Sequence, residues 1–515
     1  MICIASFLGE SSVLRVCRRV SLLYLAVFLV LIASAVGAQE KAASRTVSEE
    51  RLDQIDILSW RQGTFTVSPN ARRIAYASDA GDKMCMIIDG KMQEKFDVVA
   101  TPIFSPDGNR VAYWVQHGGK QSVVVDENEG AWYDLVPEGS LVFSPDSKRV
   151  AFVAVRDNKQ FVVVDGREGA PYGTIGGSGP IFSPDSRRVA YMASHGEKPF
   201  VVVDGKEGKR YDNIGKGSIV FSSDSKRVAY SAHAGKKQRV VVGTEEGRPY
   251  DGISEGTPIF SPNGEHVAYG AAVGNKWIVV VDGKEGKAYD GIGQITFSPD
   301  GRRVAYMAGI GEKRFVVVGG EEGKHYRGIA GHTITFSPDS RRVAYLAKPG
   351  TKWAVVVDGK DGELYNGLGV PIFSPDSRRV AHSAKVGNKW FVVVDGREGK
   401  RYDGILEGGP IFSSDGQRLA YAAREGDDRF VVVDGEEGKR YAGISKGHPV
   451  FSPDGSRVAY GVMVDRDYAV VVDGEEGPRY SRLVEGAGPI FDSPNRFHYI
   501  ALEGPDIMLV DEEIE

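Results

Sequence analysis

Two pentapeptides in this chain have the spacing of a nucleophile elbow, Gly252-Ile253-Ser254-Glu255-Gly256 and Gly443-Ile444-Ser445-Lys446-Gly447. On a strand-to-helix turn such a serine attacks an acyl carbonyl. An equivalent stretch reads Gly404-Ile405-Leu406-Glu407-Gly408, and leucine is no nucleophile, so the wording belongs to a connecting segment. A recurring Ser-Pro-Asp supplies carboxylates at Asp107, Asp185, Asp376 and their equivalents. An Asp in a tight turn bonds its own backbone, and Asn263 makes the same turn in one copy. A second recurring Asp, after a run of valines, is replaced by Gly243 and Gly319, as an obligatory ligand would not be. The Asp-Gly-Lys-Glu-Gly segments lack the alternating Asp/Asn spacing of a calcium loop. Nine histidines are scattered, with no His-x-x-x-His pair of the kind that holds zinc. His117, His195 and His233 fall in corresponding turns, while His382 takes the slot of a repeated Tyr and reads as a packed ring. No catalytic residue, metal ligand or cofactor is assigned from these patterns.

The elements that carry these residues repeat. Phe104-Ser105-Pro106-Asp107-Gly108 followed by Val111-Ala112-Tyr113 returns at Phe143, Phe182, Phe221, Phe260, Phe297, Phe336, Phe373, Phe412 and Phe451. Degenerate copies surround Ser68-Pro69-Asn70 and Phe491, which makes twelve, and the intact copies are spaced by 37 or 39 residues. Between them recurs Phe161-Val162-Val163-Val164-Asp165-Gly166, then Glu168-Gly169 and Tyr172. In the copy from Thr257 to Ile292, strands are expected at Thr257 to Ser261, His266 to Gly270, Lys276 to Asp282 and Lys287 to Ile292. Pro262-Asn263-Gly264 and Gly283 to Gly286 supply turn chemistry between them. Four short, evenly spaced strands per repeat describe a propeller blade, and the 65 glycines, nearly twice the ordinary ~7%, fit a chain that turns often. The expected fold is all-β, a β-propeller of about twelve four-stranded blades.

The Ser-Pro-Asp-Gly-x-Arg-Val-Ala-Tyr phrase resembles the WD-like repeat of TolB-type propellers, over essentially Arg51 to Glu515. That resemblance implies a periplasmic interaction protein, and similar propellers precede a hydrolase domain in prolyl oligopeptidase relatives; no hydrolase domain is expected among these residues. TolB-type propellers commonly have six to eight blades, which favours two tandem six-bladed rings, 51–292 and 293–515, over one large ring. The last copy supplies strands near Pro489 to Phe491, Phe497 to Leu502 and Asp506 to Asp511 but no fourth. Gln54 to Leu58 is expected to fill that place and close the sheet edges.

Residues 1–38 differ in kind. Arg15, Arg18 and Arg19 precede an apolar run from Val20 to Ile32, and small residues follow to Ala38. This is the order of a secretory signal with cleavage after Ala38; an uncleaved anchor is the alternative, because Val20 to Ala38 approaches spanning length. Residues 39–50 read as a linker. Cys85 is then the one thiol beyond the signal and packs as a small hydrophobe at the head of a third strand. The net charge of −5 gives no basic stripe for nucleic acid. The expected location is periplasmic or secreted, with no membrane span once the signal is removed.

Function is expected where copies differ. The Ser-Pro-Asp and Asp-Gly turns are nearly uniform, whereas the second-to-third turns and the blade-to-blade connections vary and are expected on the opposite face. The connections offer Glu138, Lys216, Glu255, His332, Glu407, Lys446, His448 and Glu485 as candidate binding residues. Individual loops on a repeated scaffold suit a binding surface. The expectation is a non-enzymatic scaffold that engages a protein or cell-envelope component. An envelope enzyme acting on glycan or peptide from a propeller funnel is the alternative.

Overall fold

The computed structural model describes residues 44–515 except 57, 58, 62 and 446–448, and the side chain of 178 is also left aside. The signal segment and its cleavage point lie outside the described residues. Two compact units are distinguished. In the described part of the smaller one, the Glu515 amide donates to the Ser44 carbonyl at 2.9 Å and the Ser44 hydroxyl to the Glu515 carboxylate at 2.8 Å. The larger, Val47–Glu512, holds the blades.

Twelve small antiparallel sheets make up this unit, and no helix occurs among the described residues. Blades are numbered here by their second strands, from Ile74–Asp79 in blade 1 to Arg496–Glu503 in blade 12. Blades 6 to 9 carry Val267–Val273, Val304–Ile310, Val343–Lys348 and Val380–Val386. The central strands bury both faces, as Val279 and Val280 show at 2% and 0% exposure, because each blade is sandwiched between two others.

Turn chemistry explains the hairpins. Asp165 and Gly166 both have positive φ, 51° and 75°, which is the backbone of a type I′ turn and the reason Asp-Gly recurs there. Gly243 and Gly319 replace the Asp at φ of 62° and 60°, so the position requires a left-handed residue rather than a carboxylate. In the other hairpin Asp107 accepts from the Ser105 hydroxyl at 2.5 Å and from the Asn109 amide at 3.0 Å. The Ser-Pro-Asp aspartate is a turn former, as its residue type implies.

Strand bounds differ from expectation at the blade junctions. Lys284–Glu285 and Tyr289 pair with the third strand of blade 6, whereas Gly291–Phe297 already pairs with the second strand of blade 7. The expected fourth strand, Lys287 to Ile292, is therefore divided between two blades.

The blades form one ring. In most blades an Arg at the start of the second strand reaches into the next blade: Arg149 donates to the carbonyls of Ser186 and Arg187, and Arg188 to those of Ser225 and Lys226. Blade 6 has His266 in place of that Arg, and there the Asn263 side-chain amide donates to the Asp300 carbonyl of blade 7 at 3.2 Å. Blade 12 meets blade 1 where Arg72 pairs with Asp492 at 2.8 Å. The preference for two six-bladed rings is thus corrected, since nothing separates blade 6 from blade 7 and the chain ends meet each other. Of the expected closing segment Gln54 to Leu58, Gln54 ends the closing strand and the Ile55 amide donates to the Pro505 carbonyl at 2.8 Å, while residues 57 and 58 lie outside the described residues; most of the strand lies earlier. Arg45–Gln54, from Val47 on within the ring, pairs with Asp506–Ile514 as the fourth strand of blade 12. Trp60 instead pairs with Ser78 inside blade 1.

First strands lie toward the ring's centre. Those of neighbouring blades touch directly, as Thr66 Oγ1 does at 3.3 Å from the Pro102 carbonyl. Fourth strands are bridged by long side chains such as Lys209 and Glu246, 2.7 Å apart.

Candidate functional site

In eight blades the first strand is made in two halves, and in blades 4 and 7 it is one strand with a register shift at the same place. In blade 6, Gly252–Ile253 pairs with Ala272 and Ala271, and Ile259–Phe260 pairs with Ala268 and Val267. Residues 254–258 bulge from between them, halfway along the inner strand. The connections named from the sequence are these bulges, so they project from the inner strand and not from the face opposite the Ser-Pro-Asp turns. Blades 7 and 9 are the ones whose repeats are two residues shorter, and there Gly293-Gln294 and Gly369-Val370 replace the bulge.

Each bulge is a tight turn with one side chain held outward. In blade 3 the turn runs Pro137, Glu138, Gly139, Ser140, with Gly139 at φ 75° and the Ser140 hydroxyl donating to the Pro137 carbonyl at 2.7 Å. In blade 5 Ser218 closes on Gly215, also at 2.7 Å. In blade 6 Thr257 closes on Ser254, and in blade 8 Thr333 closes on Ala330. The closing hydroxyls are buried while Glu138, Lys216, Glu255, Glu407 and Glu485 occupy the second turn position, exposed. His332 differs, because it holds the third position at φ 57° where the other turns place glycine. Lys446 and His448 lie outside the described residues.

These side chains form a circle of separate points. Among the described residues no bond joins Glu138, Lys216, Glu255, His332 or Glu407 to another of the set. The signal that sequence reasoning missed is a three-residue wording in blades 3, 5 and 6: a Glu or Lys, a glycine, then a Ser or Thr whose hydroxyl locks the turn.

The steps between blades are pinned by charge. Asp251, next to the repeated Tyr250, accepts from Lys237 of its own blade at 2.5 Å and from the Gly274 amide of the next at 2.8 Å. Lysine first and the amide second hold its carboxyl below the usual carboxylate range. Asp212 does the same with the order reversed, the Gly235 amide outweighing Lys198. The bulges therefore start from fixed points, and their variation is confined to the turn.

No protein family and no curated protein matches the sequence. Solved structures of similar shape include a eukaryotic initiation factor, at 15% identity over 62% of this chain and 93% of the other, TM-score 0.34. TolB from Acinetobacter baumannii is similar at 17% identity over 43% of this chain and 61% of its own, TM-score 0.23. The β-propeller domain of the Trilobed protease from Pyrococcus furiosus is similar at 13% identity over 50% and 94%, TM-score 0.24. At such superpositions these likenesses carry nothing about chemistry or partners.

Two further groups bear on chemistry. Asp492, His498 and Asp511 bring ligand atoms within 4.8 Å of one another. The Arg72 guanidinium sits among them, 2.8 Å from Asp492, 3.1 Å from His498 Nδ1 and 3.3 Å from Asp511. A cation already occupies that charge cluster, and it belongs to ring closure. Cys85 is fully buried with Sγ 3.8 Å from the Ser78 carbonyl, and burial raises its thiol above the ordinary range, so it packs as expected. No helix among the described residues is long and apolar enough to cross a membrane.

Proposed function

We propose that the chain is an exported, non-enzymatic propeller scaffold of the bacterial cell envelope, which engages a protein or envelope polymer through its inner-strand turns. One observation carries this: a uniform frame holds a ring of exposed, individually chosen side chains at Glu138, Lys216, Glu255, His332, Glu407 and Glu485 on tight turns, four of them locked by a hydroxyl. Rigid turns present side chains with little ordering cost on binding, and mixed charge favours recognition by complementarity. The secretory order of residues 1–38 supports export, and the resemblance of the Ser-Pro-Asp repeats to TolB-type propellers supports an envelope role.

The test uses the chain without residues 1–38, immobilised and exposed to envelope extract. Captured material is then titrated against a variant with Glu138, Lys216, Glu255 and Glu407 changed to Ser, and against a control with Lys206 and Lys284 changed to Ser on the uniform face. The scaffold reading expects binding to fall at least about tenfold in the first variant, ~1.4 kcal/mol, and to persist in the control. Equal binding by both variants would move the site elsewhere.

A further inference from the structure

The interfaces between blades repeat one aromatic arrangement. A Tyr from the fourth strand meets a Tyr from the second strand of the next blade edge to face. Tyr250 and Tyr269 are 6.1 Å apart, Tyr326 and Tyr345 6.4 Å, and Tyr402 and Tyr421 6.3 Å. The second-strand hydroxyl then fills the space above a glycine of the preceding blade. A methyl group placed on Gly247 or Gly438 would stand 3.4 Å from the hydroxyl of Tyr269 or Tyr460.

Between blades 8 and 9 the second-strand residue is His382. Its ring still meets Tyr365, at 6.2 Å, but an imidazole is shorter than a phenol and ends before the glycine. Gly362, the equivalent of Gly247, has only the Val355 carbonyl within 4 Å of its Cβ position. The freed space opens into a cavity of 430 Å³ lined by Val355, Val357, Val380 and Val393, by His382 and Gly362, and by charged residues including Arg342, Asp358 and Asp361. That volume falls within the range of about 300–1,000 Å³ typical of small-molecule sites.

The chemistry of the wall is defined. His382 is 7% exposed, and burial lowers its pKa to about 4, so the ring is neutral near pH 7. Nδ1 lies 3.3 Å from the Ser383 carbonyl, an acceptor, and so carries the proton. Nε2 is left as a lone-pair acceptor with no partner among the described residues. A charged guest would lose its hydration among the valines, whereas a neutral ring that brings one donor would meet both the apolar floor and Nε2.

The geometry points to a binding site for small neutral phenols in the gap left by His382 between blades 8 and 9. The guest restores what the other interfaces have in covalent form: a ring against the valines and a hydroxyl, here donating to Nε2. Of the charged residues around the cavity, Arg342 pairs with Asp358 at 3.0 Å, Asp361 with Tyr326 at 2.5 Å and Asp395 with Arg379 at 3.5 Å, while Lys360 and Glu363 are exposed to solvent.

Calorimetric titration of the whole chain with phenol tests this, with toluene as the ring of similar size lacking the donor. A ligand of about seven non-hydrogen atoms at ordinary efficiency binds in the millimolar range. Phenol is expected to bind and toluene about tenfold more weakly, and phenol should move the His382 Nε2 resonance in nitrogen NMR. His382→Tyr fills the gap as Tyr345 and Tyr421 do in neighbouring blades, and should raise Tm and abolish binding. His382→Phe removes the acceptor while keeping a ring, and should weaken phenol about tenfold. No binding to the unaltered chain, equal binding of phenol and toluene, or undiminished binding by His382→Tyr would each overturn the proposal.

Discussion

His498 Nε2 donates to the Asn70 carbonyl at 2.7 Å, a bond between residues 428 apart in sequence that joins the last blade to the first. Around it Arg72 links Asp492 and Asp511, and the Tyr480 hydroxyl donates to Glu49 at 2.6 Å. The ring is closed by side chains as well as by the strand Arg45–Gln54.

Removing residues 1–54 takes the fourth strand from blade 12 and exposes the edge of Asp506–Ile514. An unpaired edge templates association. The truncated chain is expected to self-associate, read by light scattering, while the form starting at residue 39 stays monodisperse. Equal behaviour of the two would deny the strand its closing role.

Arg188 makes three bonds, one to Asp204 of its own blade at 2.8 Å and two across the interface to the carbonyls of Ser225 and Lys226, and lies 5.5 Å from the Phe221 ring. Arg188→Ala should cost about 2–3 kcal/mol, since bonds to a charged group are each worth roughly 1.5–3 kcal/mol and this one is partly exposed. Arg188→Lys should recover less than half, because an ammonium cannot reproduce the planar fork. Denaturant titration measures both.

His332→Gly is expected to stabilise the chain by about 1 kcal/mol, the order of cost of a left-handed non-glycine residue. The turns at Gly139 and Gly256 hold glycine at φ 75° and 72° in that place. A stabilised variant with weakened partner binding would mark His332 as kept for recognition.

Stability should fall with pH in two windows. His382 has its folded pKa depressed to about 4 by burial, against about 6.5 unfolded. The unfolded chain therefore takes up a proton that the folded chain refuses, so the stability present above pH 6.5 is lost as pH falls toward 4. The loss is at most about 3 kcal/mol, and His382→Tyr should abolish it. Thermal midpoints between pH 7 and 4 decide the matter.

The second window is lower. The Ser105 hydroxyl and then the Asn109 amide hold Asp107 near pKa 2, and Asp146, Asp185, Asp300 and Asp454 are lowered by the same serine bond. Depressed carboxylates contribute stability above their unfolded pKa of about 4 and lose it as pH falls through the folded value. Unfolding below about pH 4 should thus be steep, and Asp185→Asn, as in the natural Asn263 turn, should reduce its proton dependence.

The blade itself was legible in the residues, because a hairpin is decided by a few adjacent ones. Asp165-Gly166 demands a left-handed pair, Ser105 and Asp107 close a turn on each other, and alternating valines must be covered on both faces. The position of His382 in a Tyr slot was equally plain. Its consequence was not, since a missing hydroxyl matters only where a glycine of the preceding blade has no other neighbour. The placement of Glu255 was misjudged for a related reason: the two halves of one strand, Gly252–Ile253 and Ile259–Phe260, are recognisable as one only when both lie against Val267–Val273. The number of rings was beyond the repeat altogether. Most interfaces carry the same Arg and Tyr contacts, so the repeat itself does not say after how many blades the array returns to its start. Closure depends on the sum of twelve small rotations, and only the folded chain, with Asn70 against His498, carries that sum.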